Sequence, residues 1–135
     1  MADGSRPTLV LVVDDFPETI DILAESLQAR GFGVTLSLSA EEALRRLLDE
    51  SEPLPDVIVM DLAMPRVDGL EATRRLKAVA RTGHIPVVLY TAHRGPELDV
   101  AAARAGCASV VGKPASAANI VAAIEGALHA STHVC

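Results

Sequence analysis

The sequence predicts a doubly wound α/β fold, a three-layer (βα)5 arrangement in which helices cover both faces of a parallel sheet. Three observations lead there. Short β-branched runs alternate five times with amphipathic helical patterns along 135 residues. Each run is almost continuously apolar, as strands buried on both faces are. No repeat, low-complexity tract or linker interrupts the pattern, and the length suits one domain of roughly 150 residues.

The first strand is read at residues 8–13. Pro17 suits the first turn of the helix that follows, where Ile20, Leu23, Ala24 and Leu27 share one face before Gly31 stops it. After the second strand (34–38), Ser39 and Glu42 stand in capping-box spacing, and the helix they open is expected to bury Ala43, Leu44, Leu47 and Leu48. The third strand (57–60) leads to a helix with Leu76, Val79 and Ala80 on one side, ending near Gly83. The fourth (87–90) precedes a helix over 96–105 whose apolar stripe is mostly alanine, so it should pack weakly and move easily. The fifth (109–111) is followed by a helix packed through Ile120, Ile124, Ala127 and Leu128. The domain should span 8–130, with 1–7 and 131–135 frayed.

Composition narrows the function. Twelve Lys and Arg against 18 Asp and Glu give a net charge of −6, and only 2% of residues are aromatic. Direct nucleic-acid binding normally needs a basic face and stacking side chains, so it is not expected. Cys107 and Cys135 build no disulfide framework and no C-x-x-C pair, which fits a reduced, cytoplasmic setting. No run approaches the ~18 apolar residues of a membrane span. Arg74, Arg75 and Lys77 read as a solvated helix face, Cys107 as a small buried residue, and His129, His133 and Cys135 as part of a loose end rather than a metal tail.

Ligands of open α/β sheets bind outside the carboxyl ends of the strands, where strand order reverses. The residues at those ends are Asp14 and Asp15, Asp61, Thr91, and Lys113 with Pro114. In a sheet of order 2-1-3-4-5 the first and third strands are neighbours, and the three aspartates converge. Their mutual repulsion calls for a cation. All-oxygen ligands with room for water suit Mg²⁺. A metal, a hydroxyl and an ammonium could each take one phosphoryl oxygen, and one carboxylate would be the nucleophile. Asp61 stands alone at its strand end and is the better nucleophile; the paired Asp14 and Asp15 are better metal holders.

Val12-Val13-Asp14-Asp15, Met60-Asp61-Leu62-Ala63-Met64-Pro65, Asp68-Gly69, Tyr90-Thr91-Ala92 and Gly112-Lys113-Pro114 together resemble the receiver domain of two-component response regulators, of the single-domain, chemotaxis-regulator kind. The resemblance covers about residues 8–130. It implies the flavodoxin-like strand order 2-1-3-4-5 and phosphorylation of Asp61 by a histidine kinase or a His-phosphotransfer protein. It further implies that Asp15, Asp61 and the main-chain carbonyl of Ala63 ligate Mg²⁺ while Asp14 holds metal-bound water. Thr91 and Lys113 would meet the phosphoryl oxygens, and Lys113–Pro114 would be cis.

One position departs from the pattern. Val110 stands where receivers usually carry an aromatic that turns inward as the threonine moves, so movement of the helix over 96–105 is the expected output. Ala63 and His93 flank the path of attacking water; Ala63 offers no side chain to orient it, whereas His93 could partly cover the phosphoryl group. The expectation is a stand-alone receiver acting through phosphorylation-dependent partner binding or phosphorelay, with autodephosphorylation its only other chemistry. Its output protein is unknown, a homodimer is left open, and no membrane partner is expected. Two rivals are a degenerate scaffold that ignores phosphate and a Mg²⁺-dependent phosphatase with an aspartyl nucleophile. The phosphatase would need a second Asp where Ala63 stands.

Overall fold

The computed structural model describes residues 6–132. In chain order it comprises β1 (Leu9–Val13), α1 (Pro17–Ala29), β2 (Gly33–Ser37), α2 (Ala40–Leu47), β3 (Val57–Asp61), α3 (Gly69–Lys77), β4 (Val87–Thr91), α4 (Pro96–Ala105), β5 (Ser109–Gly112) and α5 (Ala117–Thr132). The strands form one parallel sheet in the order β2-β1-β3-β4-β5. The predicted fold class and strand order are those observed, and β1 lies beside β3 at the switch point.

Strand geometry sends alternate side chains to opposite faces. Leu11, Val13, Ile58, Met60, Val87 and Leu89 therefore face α2, α3 and α4, meeting Ala43, Leu47, Ala72, Leu76 and Ala102. Val10, Val12, Val57, Val59, Val88 and Tyr90 face α1 and α5, meeting Ile20, Leu23, Leu27, Ile120 and Ile124. Each aliphatic side chain buried in these layers contributes ~1.5–3 kcal/mol relative to exposure. The edge strands β2 and β5 are only partly covered, since each has a neighbour on one side alone.

Local signals set the helix ends. Ser39 Oγ accepts the Glu42 N–H at 3.0 Å in the expected capping register, while the Glu42 carboxylate accepts the Leu38 N–H at 3.0 Å, one residue before the cap. Asp68 caps α3 by accepting the Glu71 N–H at 2.9 Å. Gly31, with φ 95°, and Gly106, with φ 102°, turn the chain out of α1 and α4 through the left-handed region that other residues avoid.

Several expectations are corrected. Helix α2 ends at Leu47, and Leu48 is half exposed. Helix α3 ends at Lys77, leaving Val79 and Ala80 at the surface. The cause is local: the Thr82 hydroxyl donates to the Leu76 carbonyl at 2.7 Å and the Gly83 N–H to the Val79 carbonyl at 2.7 Å, tightening the chain so that Ile85 enters the core. Lys77 is half-buried instead of free in solvent, because its ammonium donates to the carbonyls of Gly83 (3.1 Å) and Ile85 (2.7 Å). Burial pushes its pKa down. Arg74 and Arg75 do lie at the surface, paired with Glu71. Cys107 is half-buried against the α2–α4 layer, and burial raises its thiol pKa.

Near the start, Arg6 grips Asp56 through two bonds of 2.8 and 3.1 Å, and Asp56 also accepts the Leu9 N–H at 2.8 Å. Residues 1–5 and 133–135, which hold most of the expected frayed ends and both His133 and Cys135, lie outside the described residues. Among the described residues no helix is long and apolar enough to cross a membrane.

Candidate functional site

Parallel packing brings the carboxyl ends of β1, β3, β4 and β5 to one rim. Asp14 and Asp15 follow β1 directly. Asp14 is buried; its Oδ1 accepts the Phe16 N–H at 2.9 Å, and its own N–H donates to the Ser37 carbonyl at 3.1 Å. Asp15 is exposed. The sheet ladder runs one residue further than periodicity suggested in β3 and β4, making Asp61 and Thr91 the last residues of rigid strands instead of the first residues of loops. Asp61 is 5% exposed, and its Oδ1 accepts from the Ala63 N–H at 3.3 Å and from Lys113 Nζ at 3.1 Å.

Lys113 is anchored by its own N–H, which donates to the Thr91 carbonyl at 2.7 Å, and the Lys113–Pro114 peptide is cis. Its ammonium also lies 3.9 Å from Asp14 Oδ2. The buried Thr91 turns its hydroxyl toward the His93 N–H, which it accepts at 3.1 Å. Val110 sits opposite Leu89 in the ladder and packs, partly buried, against the α2–α4 layer.

One carboxylate oxygen from each of Asp14, Asp15 and Asp61 lies within 4.8 Å of the others. Burial raises the Asp61 pKa above the ordinary carboxylate value, Lys113 opposes that rise without cancelling it, and the Asp14 charge adds to it. Three hard oxygen donors in an over-negative pocket, one of them open to solvent, fit a small divalent cation that keeps part of its water. The structure thus brings together the three aspartates and Lys113.

Sequence reasoning assigned no task to Tyr90, yet the structure puts it at the centre. Its buried hydroxyl donates to Asp14 Oδ2, and Lys113 Nζ lies 4.4 Å from its ring centroid. Burial and then the Asp14 bond push the phenol pKa upward. One signal was available: a tyrosine on a strand buried on both faces needs a partner for its hydroxyl.

A sheet of order 2-1-3-4-5 whose switch point carries clustered aspartates, a rim threonine and a rim lysine defines a flavodoxin-like α/β module with an acidic site at its carboxyl rim. The family model for the response regulator receiver domain matches residues 10–125, and the chain belongs to that family. Receiver domains are signalling domains, not classical enzymes. An uncharacterised 14.6 kDa protein of Leptolyngbya boryana is 34% identical over 116 residues, 86% of each chain. The transcriptional regulatory protein TrcR of Mycobacterium tuberculosis is 32% identical over 98% of this chain, which spans only 49% of that relative's length. A response-regulator crystal structure from Chloroflexus aurantiacus superposes with a TM-score of 0.84 at 27% identity, covering 92% of this chain and 99% of the other.

Proposed function

We propose that this receiver takes a phosphoryl group on Asp61 from a histidine kinase or a His-phosphotransfer protein and signals by phosphorylation-dependent partner binding or phosphorelay. The observation that supports it is the convergence of three aspartate carboxylates within 4.8 Å, with the Lys113 ammonium 3.1 Å from Asp61. Asp61 is the last residue of β3, held at the strand end by its bond to Lys113. One of its oxygens would form the O–P bond as the P–N bond to the donor imidazole breaks, the freed imidazole taking up a proton. Thr91 and Lys113 would meet two phosphoryl oxygens as charge spreads over them. Asp15, Asp61 and the Ala63 carbonyl would hold Mg²⁺, with Asp14 reaching it through water. The metal, when bound, supplies charge neutralisation. Water attacking the aspartyl phosphate would return Asp61 to its free state.

The proposed setting is cytoplasmic, and the output partner would read a changed α4 surface, since Val110 supplies no aromatic to turn inward. Val110 also favours a second reading, a scaffold that works without phosphate. Intact mass separates the two. Incubated with Mg²⁺ and a small phosphodonor, the chain should gain one phosphoryl group; no gain would leave the scaffold.

Lys113 carries a further expectation. Its ammonium links Asp61 to β5, so Lys113→Ala should still accept phosphate but lose much of the amide-exchange change that phosphorylation produces around α4 and β5. Matching exchange changes in variant and wild type would count against that link.

A further inference from the structure

We propose that Tyr90 is a positioning residue for the divalent cation, its hydroxyl locking Asp14 in the orientation the metal-bound water requires. This rests on the metal-dependent reading above. Asp14 directly follows β1 and Tyr90 lies on β4, with β3 between those strands, so the phenol reaches across the middle strand on the α1–α5 face of the sheet. Asp14 is 1% exposed, and an ionised carboxylate so buried needs donors on its oxygens. The Phe16 N–H satisfies Oδ1 and the Tyr90 hydroxyl satisfies Oδ2, so the carboxylate is pinned at both ends.

Lys113, at 3.9 Å from Oδ2, is the other donor near that oxygen, and it is already committed to Asp61 at 3.1 Å. Without the phenol, Asp14 would turn toward the ammonium and away from the cation. Mg²⁺ tolerates little departure from octahedral geometry. Loss of a partner that orients a metal ligand commonly weakens affinity about 10–100-fold. The ring also lies under Lys113, where a cation is attracted to the aromatic face. Tyr90→Phe keeps that ring and removes the hydroxyl alone.

The test is Mg²⁺ titration of the full chain by calorimetry, for wild type and Tyr90→Phe, at a temperature where circular dichroism finds both folded. The variant should bind Mg²⁺ about tenfold more weakly, or worse. A second readout needs no substitution. Tyr90 is the only tyrosine and the chain has no tryptophan, so tyrosine emission reports this hydroxyl. Wild-type emission should change saturably with the midpoint that calorimetry gives. Equal affinities to within about twofold, or flat emission through a titration that calorimetry sees saturate, would overturn the role. If the variant fails to fold, emission decides alone. A wild type that binds no Mg²⁺ removes the phosphoacceptor reading and this inference together; a wild type that binds Mg²⁺ but gives either equal affinity in the variant or flat emission removes only the role of Tyr90.

Discussion

Asp61→Asn should take up no phosphoryl group where the wild type takes up one, and in Mg²⁺-free buffer near neutral pH it should melt at a higher temperature. The two halves share a cause. The Asp61 carboxylate combines a nucleophilic oxygen with the Lys113 ammonium at 3.1 Å, nearer than the 3.9 Å that separates this ammonium from Asp14, and an amide cannot replace it. Its charge is also unwelcome in the metal-free fold, where burial first and then Asp14 lift its pKa above the ordinary 3.8 despite Lys113. A carboxyl with a raised folded pKa binds its proton more tightly folded than unfolded. Metal-free stability therefore falls as pH rises from the unfolded value through the folded one, by about 1.4 kcal/mol for each unit between them.

Asparagine removes that fall, so the variant's advantage should be full above the folded pKa and vanish below the unfolded one. Mg²⁺ reverses the ranking, because a ligand at a hundred times its dissociation constant stabilises by about 2.7 kcal/mol. Thermal melts with and without Mg²⁺ across pH check this. Labelling of both proteins, or a variant that melts below wild type at every pH without metal, would overturn it.

Gly69→Ala is expected to destabilise the chain by about 2–3 kcal/mol and lower the melting temperature by roughly 10 °C. Gly69 opens α3 directly against the carboxyl end of β3. A Cβ there would lie 2.6 Å from the Asp61 carbonyl oxygen, 2.8 Å from Leu89 Cδ1 and 3.1 Å from the Leu62 Cα. Two of those three neighbours are backbone and cannot swing aside. Alanine's better helix propensity returns at most ~1 kcal/mol. Because the clash falls on the Asp61 peptide, Mg²⁺ affinity should drop as well. Denaturant unfolding within about 0.5 kcal/mol of wild type would show that the helix start can shift freely.

Much of the fold was legible because its signals are local. The buried faces of α1 and the start of α4 at Pro96 follow from spacing and from proline, and both stand as read. The rim residues were legible for a related reason: in a parallel sheet every strand runs the same way, so strand ends share one edge whatever the side chains do. Misreadings arose where a distant or non-periodic contact decided the outcome. Val79 and Ala80 continue a helical pattern on paper, but the Thr82 hydroxyl captures the Leu76 carbonyl and ends that pattern. Lys77 reads as a surface charge until two carbonyls from the turn that follows close over it.

The order of apolar runs and helical stripes thus determined by itself the α/β class and the acidic rim, since both depend on periods of two and 3.6 residues within short windows. Packing alone decided that the Tyr90 hydroxyl meets Asp14, 76 residues earlier in the chain, with the Lys113 ammonium over the ring between. No periodicity encodes the reach of one phenol across an intervening strand. That reach exists only once β1, β3 and β4 lie side by side and the α1–α5 layer closes over them.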